Sequence, residues 1–241
     1  MERNSLQKLE TIYQDASLIA VNKPSGVSVG GDRWDGDAER LDTLVEAYVG
    51  QRVWTVHRID KDTSGVVVFA KDADTHRLLS AAFEAHIVKK RYIAVVYGVP
   101  AWRETVCDLP LAPNGNKKHL TIIDRYQGKA SVTRFKIIAT AGVFSVLEVF
   151  PETGRTHQIR VHASALGHPV VCDSLYCRNP KPIMLSSFKR GWRGDPFDEK
   201  PLLSRLGLHA LEVILSDGRA FQAPYPRDMK ALLFQVEKAA K

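Results

Sequence analysis

A chain of 241 residues carries 34 Lys and Arg against 27 Asp and Glu, a formal charge of +7, and that excess favours polyanionic partners without naming one. With 44% hydrophobic, 25% charged and 8% aromatic residues, it falls in the ordinary globular range, which excludes a mainly disordered, collagen-like or low-complexity protein. The length supports a substantial core without structural metal or crosslinks.

In chain order, the opening MERNSLQKLE is too polar to hold a signal-peptide apolar core. Leu18-Ile19-Ala20-Val21 reads as a short buried strand, stopped by the turn-forming Lys23-Pro24-Ser25-Gly26. Leu41, Leu44, Val45 and Tyr48 recur at helical spacing, and Gly50 ends that helix. Val66-Val67-Val68-Phe69-Ala70 is a β-branched strand, followed by a helix whose apolar face carries Leu79, Ala82, Phe83 and His86. Strand character returns from Tyr92 to Tyr97, and again over 131–138 and 143–150, joined at Ala141-Gly142. Thr156 is placed to cap a helix carrying Ile159, Ala163 and Leu166, which Gly167 and Pro169 close. A weakly patterned stretch runs from about Arg178 to Arg205. Leu208 to Leu215 and Ala220 to Ala223 then flank Ser216-Asp217-Gly218-Arg219 as a hairpin, and Met229, Leu232, Leu233 and Val236 mark a closing helix.

Adjacent strands joined by short turns, with helices interspersed irregularly, predict an α+β fold: a largely antiparallel mixed sheet flanked by helices and loops. No linker composition or repeat divides the chain, so one domain over residues 1–241 is expected. The longest apolar runs, such as Val66 to Ala70 and Tyr92 to Val99, fall far short of the roughly 20 residues that a bilayer-spanning helix needs, so no membrane partner is expected. An odd number of cysteines (Cys107, Cys172 and Cys177) and the polar N-terminus make the cytoplasm the default location.

Two concentrations of polar residues stand out. His57-Arg58-Ile59-Asp60-Lys61-Asp62-Thr63-Ser64-Gly65 crowds acids, bases, hydroxyls and an imidazole ahead of a buried strand. An aspartate there can act as nucleophile or charge stabiliser if the fold turns it into a cleft; otherwise it is a surface turn with ordinary ion pairs. Thr153-Gly154-Arg155-Thr156-His157-Gln158-Ile159-Arg160-Val161-His162 feeds a glycine turn into a helix, and by itself it is more commonly a basic helix face in water. A metal site at His157 and His162 or at Cys172 and Cys177 is poorly supported, because the histidines are five apart and no CxxC pair exists.

Together, HRIDKDTSG with its VVVFAK strand, KRYIAVVYGVP, PETGRTHQIRVHASALGHPVVCD and LGLHALEV resemble, in that order, the RluA-type RNA pseudouridine synthases. The resemblance extends from IYQDASLIAVNKPSGVSV to FQAPYPRDM, and it departs only mildly, with Ile59 where leucine is frequent and Lys61 where arginine is frequent. It implies a pseudouridine synthase-like catalytic fold that isomerises uridine in transfer RNA, ribosomal RNA or both, without cofactor, metal or obligate protein partner. A separate RNA-binding module ahead of the catalytic part, common in relatives, is not expected here.

By the same resemblance, Asp60 matches the essential acid of the HRxD motif, Arg160 the arginine that pairs with that acid, and Tyr92 a base-stacking tyrosine that takes part in proton removal at carbon 5. Arg58 matches an arginine that stabilises the flipped-out nucleotide, and Leu208 would close the apolar side of the uracil pocket. By residue type alone, Tyr92 has the alternative of a strand aromatic that fills the core, and a leucine such as Leu208 in a strand is more often plain core. Basic groups at 89–91, Lys117-Lys118-His119 and Lys189-Arg190-Gly191-Trp192-Arg193 are candidate phosphate contacts, against the commoner reading as solvated charge. The rival functions are a non-catalytic RNA-binding derivative and a glycosidase that uses Asp60 with Glu152.

Overall fold

The structure is a computed structural model that describes residues 9–31, 39–114, 120–189 and 191–239. Lys117-Lys118-His119 and Arg190 lie outside the described residues. In chain order the elements are β1 (Glu10–Gln14), β2 (Leu18–Lys23), α1 (Leu41–Val49), β3 (Trp54–Thr55), β4 (Ser64–Ala70), α2 (Ala73–Glu84), β5 (Lys89–Tyr97) and β6 (Glu104–Cys107). There follow β7 (Leu111–Pro113), β8 (Thr121–Ile123), β9 (Thr133–Ala141), β10 (Phe144–Pro151), α3 (Gln158–Ala165), β11 (Leu208–Ile214), β12 (Ala220–Gln222) and α4 (Arg227–Ala239). The fold is α+β, and the strand pairs below are antiparallel. No helix among the described residues is long and apolar enough to cross a membrane.

The chain forms two compact units, and neither is one continuous segment. The first takes the chain up to Lys89 and regains it over Ala210–Pro224; the second takes Lys90–His209 and Tyr225 onward. In the first unit β1 pairs with β2, β2 with β4, β3 with the end of β4, and β11 with β12. Every residue of β4 is buried, as expected of a continuous apolar strand covered on both faces. Gly50 ends α1 in the left-handed conformation, and Asp72 caps α2 by accepting the Thr75 amide. His86 falls beyond the end of α2 and is exposed, so it leaves the apolar face assigned to it.

In the second unit β10 is central, pairing with β5 on one side and β9 on the other, and β6 pairs with β9. A small separate hairpin joins β7 to β8. Phe135, Leu147, Val149, Ile159, Ala163, Val170 and Leu206 form the core of this unit, so α3 packs its Ile159/Ala163 stripe onto the sheet. The stretch before β11 is irregular, with a single 3-10 turn at Leu185–Ser187, and an Arg205–Asp228 ion pair of 2.7 Å ties its end to the start of α4. The residue at the head of α3 is His157 in the left-handed conformation, and no side chain caps it there; Thr156, the expected cap, lies one position too early.

Candidate active site

Asp60 opens a turn closed by the Thr63 amide donating to the Asp60 carbonyl at 3.1 Å, and β4 begins at the next residue. The turn is clasped by the last residue of β2 and the residues just after it. Lys23 is fully buried, and its ammonium donates to the carbonyls of Lys61 at 2.8 Å, Val27 at 2.7 Å and Pro24 at 2.9 Å. The Gly26 amide donates to the same Lys61 carbonyl at 2.9 Å, and the Ser25 hydroxyl donates to the Asp62 carbonyl at 2.6 Å. A lysine is fully buried only when all its protons find acceptors, and carbonyls that a turn cannot use internally supply them here.

Within the motif the burial alternates. Ile59 is anchored in the core, Asp60 is half-buried, and Arg58, Lys61 and Asp62 are exposed. His57 accepts the Val68 amide on Nε2 at 2.9 Å and stacks on Phe83 with ring centroids 4.5 Å apart. The motif is thus pinned to β4 at its start as well as its end. Gly65, at φ +123, closes it: any Cβ there would collide with the backbone of Ala210 on β11.

Tyr92 lies near the start of β5 opposite Val149 of β10, partly buried and packed on the core of the second unit. Leu208, only 3% exposed, belongs to that core. The structure therefore brings Tyr92 and Leu208 to one apolar cluster, which also contains Ile159, the neighbour of Arg160 in α3.

Arg160 is 3% exposed and forks onto Asp173, Nε to Oδ2 and Nη2 to Oδ1, both at 2.8 Å. Asp173 is fully buried, and its Oδ1 also accepts the amides of Leu175 at 2.9 Å and Tyr176 at 3.1 Å. Burial alone would raise the Asp173 pKa, but the hydrogen bonds and charge of Arg160, together with these amides, outweigh it and hold the carboxyl below its usual range. Removing one partner of such a pair typically costs about 3–5 kcal/mol. The Tyr176 ring lies 5.2 Å from the guanidinium carbon, while its hydroxyl accepts the Thr121 amide and meets His157 Nδ1, each at 2.8 Å.

A second network seats the inner face of α3. Gln158 accepts the Thr153 hydroxyl at 2.7 Å and the Arg155 amide at 3.0 Å on Oε1, and it donates through Nε2 to Val132 O and Thr133 Oγ1, both at 2.9 Å. Thr133 Oγ1 in turn meets His162 Nδ1, and His162 Nε2 meets the Leu109 carbonyl, each at 2.9 Å. A carbonyl only accepts, so the proton sits on Nε2 and Thr133 donates to Nδ1. Burial lowers the His162 pKa against smaller opposing effects of the Leu109 carbonyl and Asp108.

Arg155 lies ahead of α3, half-buried, donating to Ala130 O at 3.3 Å. Of the basic candidates, Lys89 is exposed, Arg91 pairs with Glu148 at 3.0 Å, and Lys90 donates to Thr153 O at 3.0 Å. Burial lowers the Lys90 pKa to about 8. Among the described residues no three His, Cys, Asp or Glu side chains gather to hold a metal ion, and burial pushes the Cys172 thiol up to about 11, far from a reactive thiolate. Lys23, Asp173, Tyr176 and Gln158 are the participants that residue-by-residue reading passed over. For Asp173 and Tyr176 the signal is a turn sequence, Asp-Ser-Leu-Tyr, one residue after a buried Val170-Val171 pair.

Comparison with known proteins places these features in context. Residues 17–165 match a family model described as RNA pseudouridylate synthase. The chain is 38% identical to ribosomal large subunit pseudouridine synthase D of Zymomonas mobilis, over 95% of this chain and 72% of that protein. It is 37% identical to the dual-specificity RNA pseudouridine synthase RluA of Vibrio cholerae, over 70% of this chain and 68% of that protein. The fold is similar to that of human RNA pseudouridylate synthase domain containing 4, with a TM-score of 0.73 and 24% identity over 95% of this chain and 93% of the other.

Proposed function

The chain belongs to the RNA pseudouridylate synthase family and isomerises uridine in RNA to pseudouridine; on that premise we propose that its substrate is transfer RNA, ribosomal RNA or both, and that Asp60 is the catalytic carboxylate. The reaction breaks the bond between ribose C1′ and uracil N1, turns the base, and forms a bond from C1′ to C5. The C5 proton leaves to solvent and N1 gains one, so the atoms balance within the substrate and water. A carboxylate serves either of two routes, attack on C1′ or assistance to a glycal intermediate.

The remaining roles follow from the motif positions. Tyr92 supplies the ring on which the uracil stacks and assists proton removal at C5; a phenol of ordinary pKa about 10 is a weak base, so stacking is its main part. Leu208, in the cluster on which Tyr92 packs, forms the apolar wall. Arg160 is the cation that the family pairs with the catalytic acid. Extruding a stacked uridine costs a few kcal/mol, and Arg58, exposed one residue from the buried Ile59, stabilises the vacated duplex or loop.

The observation that carries this reading is the Asp60 turn, held half-buried by a clasp of buried lysine, amide and hydroxyl from residues 23–26. That arrangement serves a carboxylate that must keep its place in the absence of substrate. The test is tritium release from RNA labelled at uridine C5, with no metal or nucleotide cofactor added. Wild type releases label and leaves the RNA chain and its bases intact; Asp60→Ala releases none while retaining RNA affinity. Unchanged turnover by that variant would falsify the assignment, free uracil in the supernatant would indicate a glycosidase, and RNA binding without release would indicate a non-catalytic derivative. Mapping pseudouridines in transfer and ribosomal RNA from cells with and without the gene identifies the substrate.

A further inference from the structure

We propose that Asp173 and Tyr176, two residues of one turn, act as positioning residues that set the plane of the Arg160 guanidinium for the reaction. The inference rests on the assignment of Arg160 to the reaction made above. An arginine side chain has enough rotatable bonds that a single contact leaves its head group free to swing. Here three constraints meet on it. The fork from Nε and Nη2 onto the two oxygens of Asp173 fixes both direction and plane, and the Tyr176 ring at 5.2 Å covers a face of the guanidinium.

Neither partner is itself loose. Asp173 Oδ1 accepts two amides of its own turn, those of Leu175 and Tyr176, so the carboxylate cannot rotate without losing them. The Tyr176 hydroxyl is held by the Thr121 amide and by His157 Nδ1, the latter at the head of the helix that carries Arg160. The assembly therefore forms a closed circuit from helix to turn and back to the helix.

A buried ion pair with only a structural role would predict the same contacts, and kinetics separate the two. Single-turnover tritium release, RNA affinity and melting temperature are measured for Asp173→Asn, Arg160→Ala and the double variant. The expected result is an Asp173→Asn rate constant lower by about 100-fold, the size that misplacing a catalytic group by about an ångström produces. RNA affinity should remain within about threefold, and the double variant should be no slower than Arg160→Ala, since Asp173 acts only through Arg160.

Wild-type turnover by Asp173→Asn alongside a disabled Arg160→Ala overturns this inference alone, and so do losses that multiply in the double variant. Wild-type turnover by Arg160→Ala overturns the earlier assignment and this inference with it. If Asp173→Asn fails to fold, Tyr176→Leu decides: a loss of about tenfold that vanishes in the Arg160→Ala background is expected, and an unchanged rate refutes the proposal.

Discussion

The Asp60 turn and the Arg160 helix hold their side chains in place by opposite means. The turn is held through main-chain atoms: three bonds end on the carbonyls of Lys61 and Asp62, a fourth closes the turn on the carbonyl of Asp60, and a glycine without space for a Cβ follows. The helix is held through side chains, with Asp173, Tyr176, Gln158, Thr133 and His162 each making specific hydrogen bonds. Backbone clasping fixes the turn through main-chain atoms, and it tolerates no change of backbone geometry. A side-chain scaffold tolerates adjustment of the backbone, yet it responds to protonation and to single-atom substitutions.

The largest effect that this contrast predicts is at Gly65. Gly65→Ala places a Cβ into the backbone of Ala210 at a φ that L-residues avoid, and neither neighbour is a flexible side chain. The combined strain and overpacking is expected to cost at least about 3 kcal/mol. The variant should lose folded yield and turnover together, read by circular dichroism and tritium release. A well-folded Gly65→Ala with native melting would break the account of the turn as a rigid main-chain device.

Next in size is Lys23→Met, which keeps the length and apolar stem but deletes the ammonium. Lys61 O keeps the Gly26 amide, so the principal orphan is the Val27 carbonyl. A buried acceptor left unsatisfied, with the loss of charge-assisted bonds, is expected to cost about 2–3 kcal/mol, or roughly 5–10 °C of melting temperature. Because Lys23 meets the turn at a main-chain carbonyl, that of Lys61, the remaining folded enzyme should turn over normally at low temperature. A rate defect without a melting shift would instead give Lys23 a direct part in the chemistry.

The elements that sequence made legible are those with long, consistent patterns. β4 is an unbroken apolar run, α1 ends at a glycine, and α3 carries its apolar stripe where the period places it. β1, β3, β6, β7 and β8, of two to five residues, escaped because so short a strand holds too few alternations to be distinguished from a loop. Capping rules look for a hydroxyl before the helix and so point to Thr156, whereas α3 begins after His157, and Gln158 reaches backward from within the helix to take the Arg155 amide. The motif residues Asp60, Tyr92 and Arg160 were legible through family resemblance, whereas their supports were not. Lys23 meets the Asp60 turn across 38 residues of chain, and such a partner has no local signature.

The two regions also differ in their acid response. Within the second unit, burial holds His162 below its ordinary value of 6.5, so below that pH the unfolded chain takes up a proton that the folded state refuses. Stability therefore falls as pH drops below about 6.5, by up to about 1.4 kcal/mol per pH unit until the folded pKa is reached. In the first unit, burial opposes but the Leu18 and Ser17 amides prevail, lowering Asp15 to about 2 from 3.8, and its contribution is lost only as pH falls between those values. Urea titrations from pH 7 to 4.5 should show the slope in wild type and a flatter one in His162→Gln. Equal slopes would remove His162 from the acid response.

The smallest effect concerns RNA affinity rather than stability. Lys90 is the one of the three residues 89–91 that burial brings to a pKa of about 8, while its ammonium rests on the Thr153 carbonyl beside the glycine turn that feeds α3. If Lys90 meets a phosphate, its charge, and with it one released counterion, fades as pH rises through about 8. Affinity for a substrate stem-loop should then weaken from pH 7 to 9, and the slope of log affinity against log salt should shrink by about one. Lys90→Arg, which keeps its charge throughout, should show neither change, whereas Lys90→Met should behave at pH 7 as wild type does at pH 9. A pH response that persists in Lys90→Arg assigns it to another group, and would leave Lys90 as a buried strut of the second unit, holding the Thr153 turn in place for α3 without touching RNA.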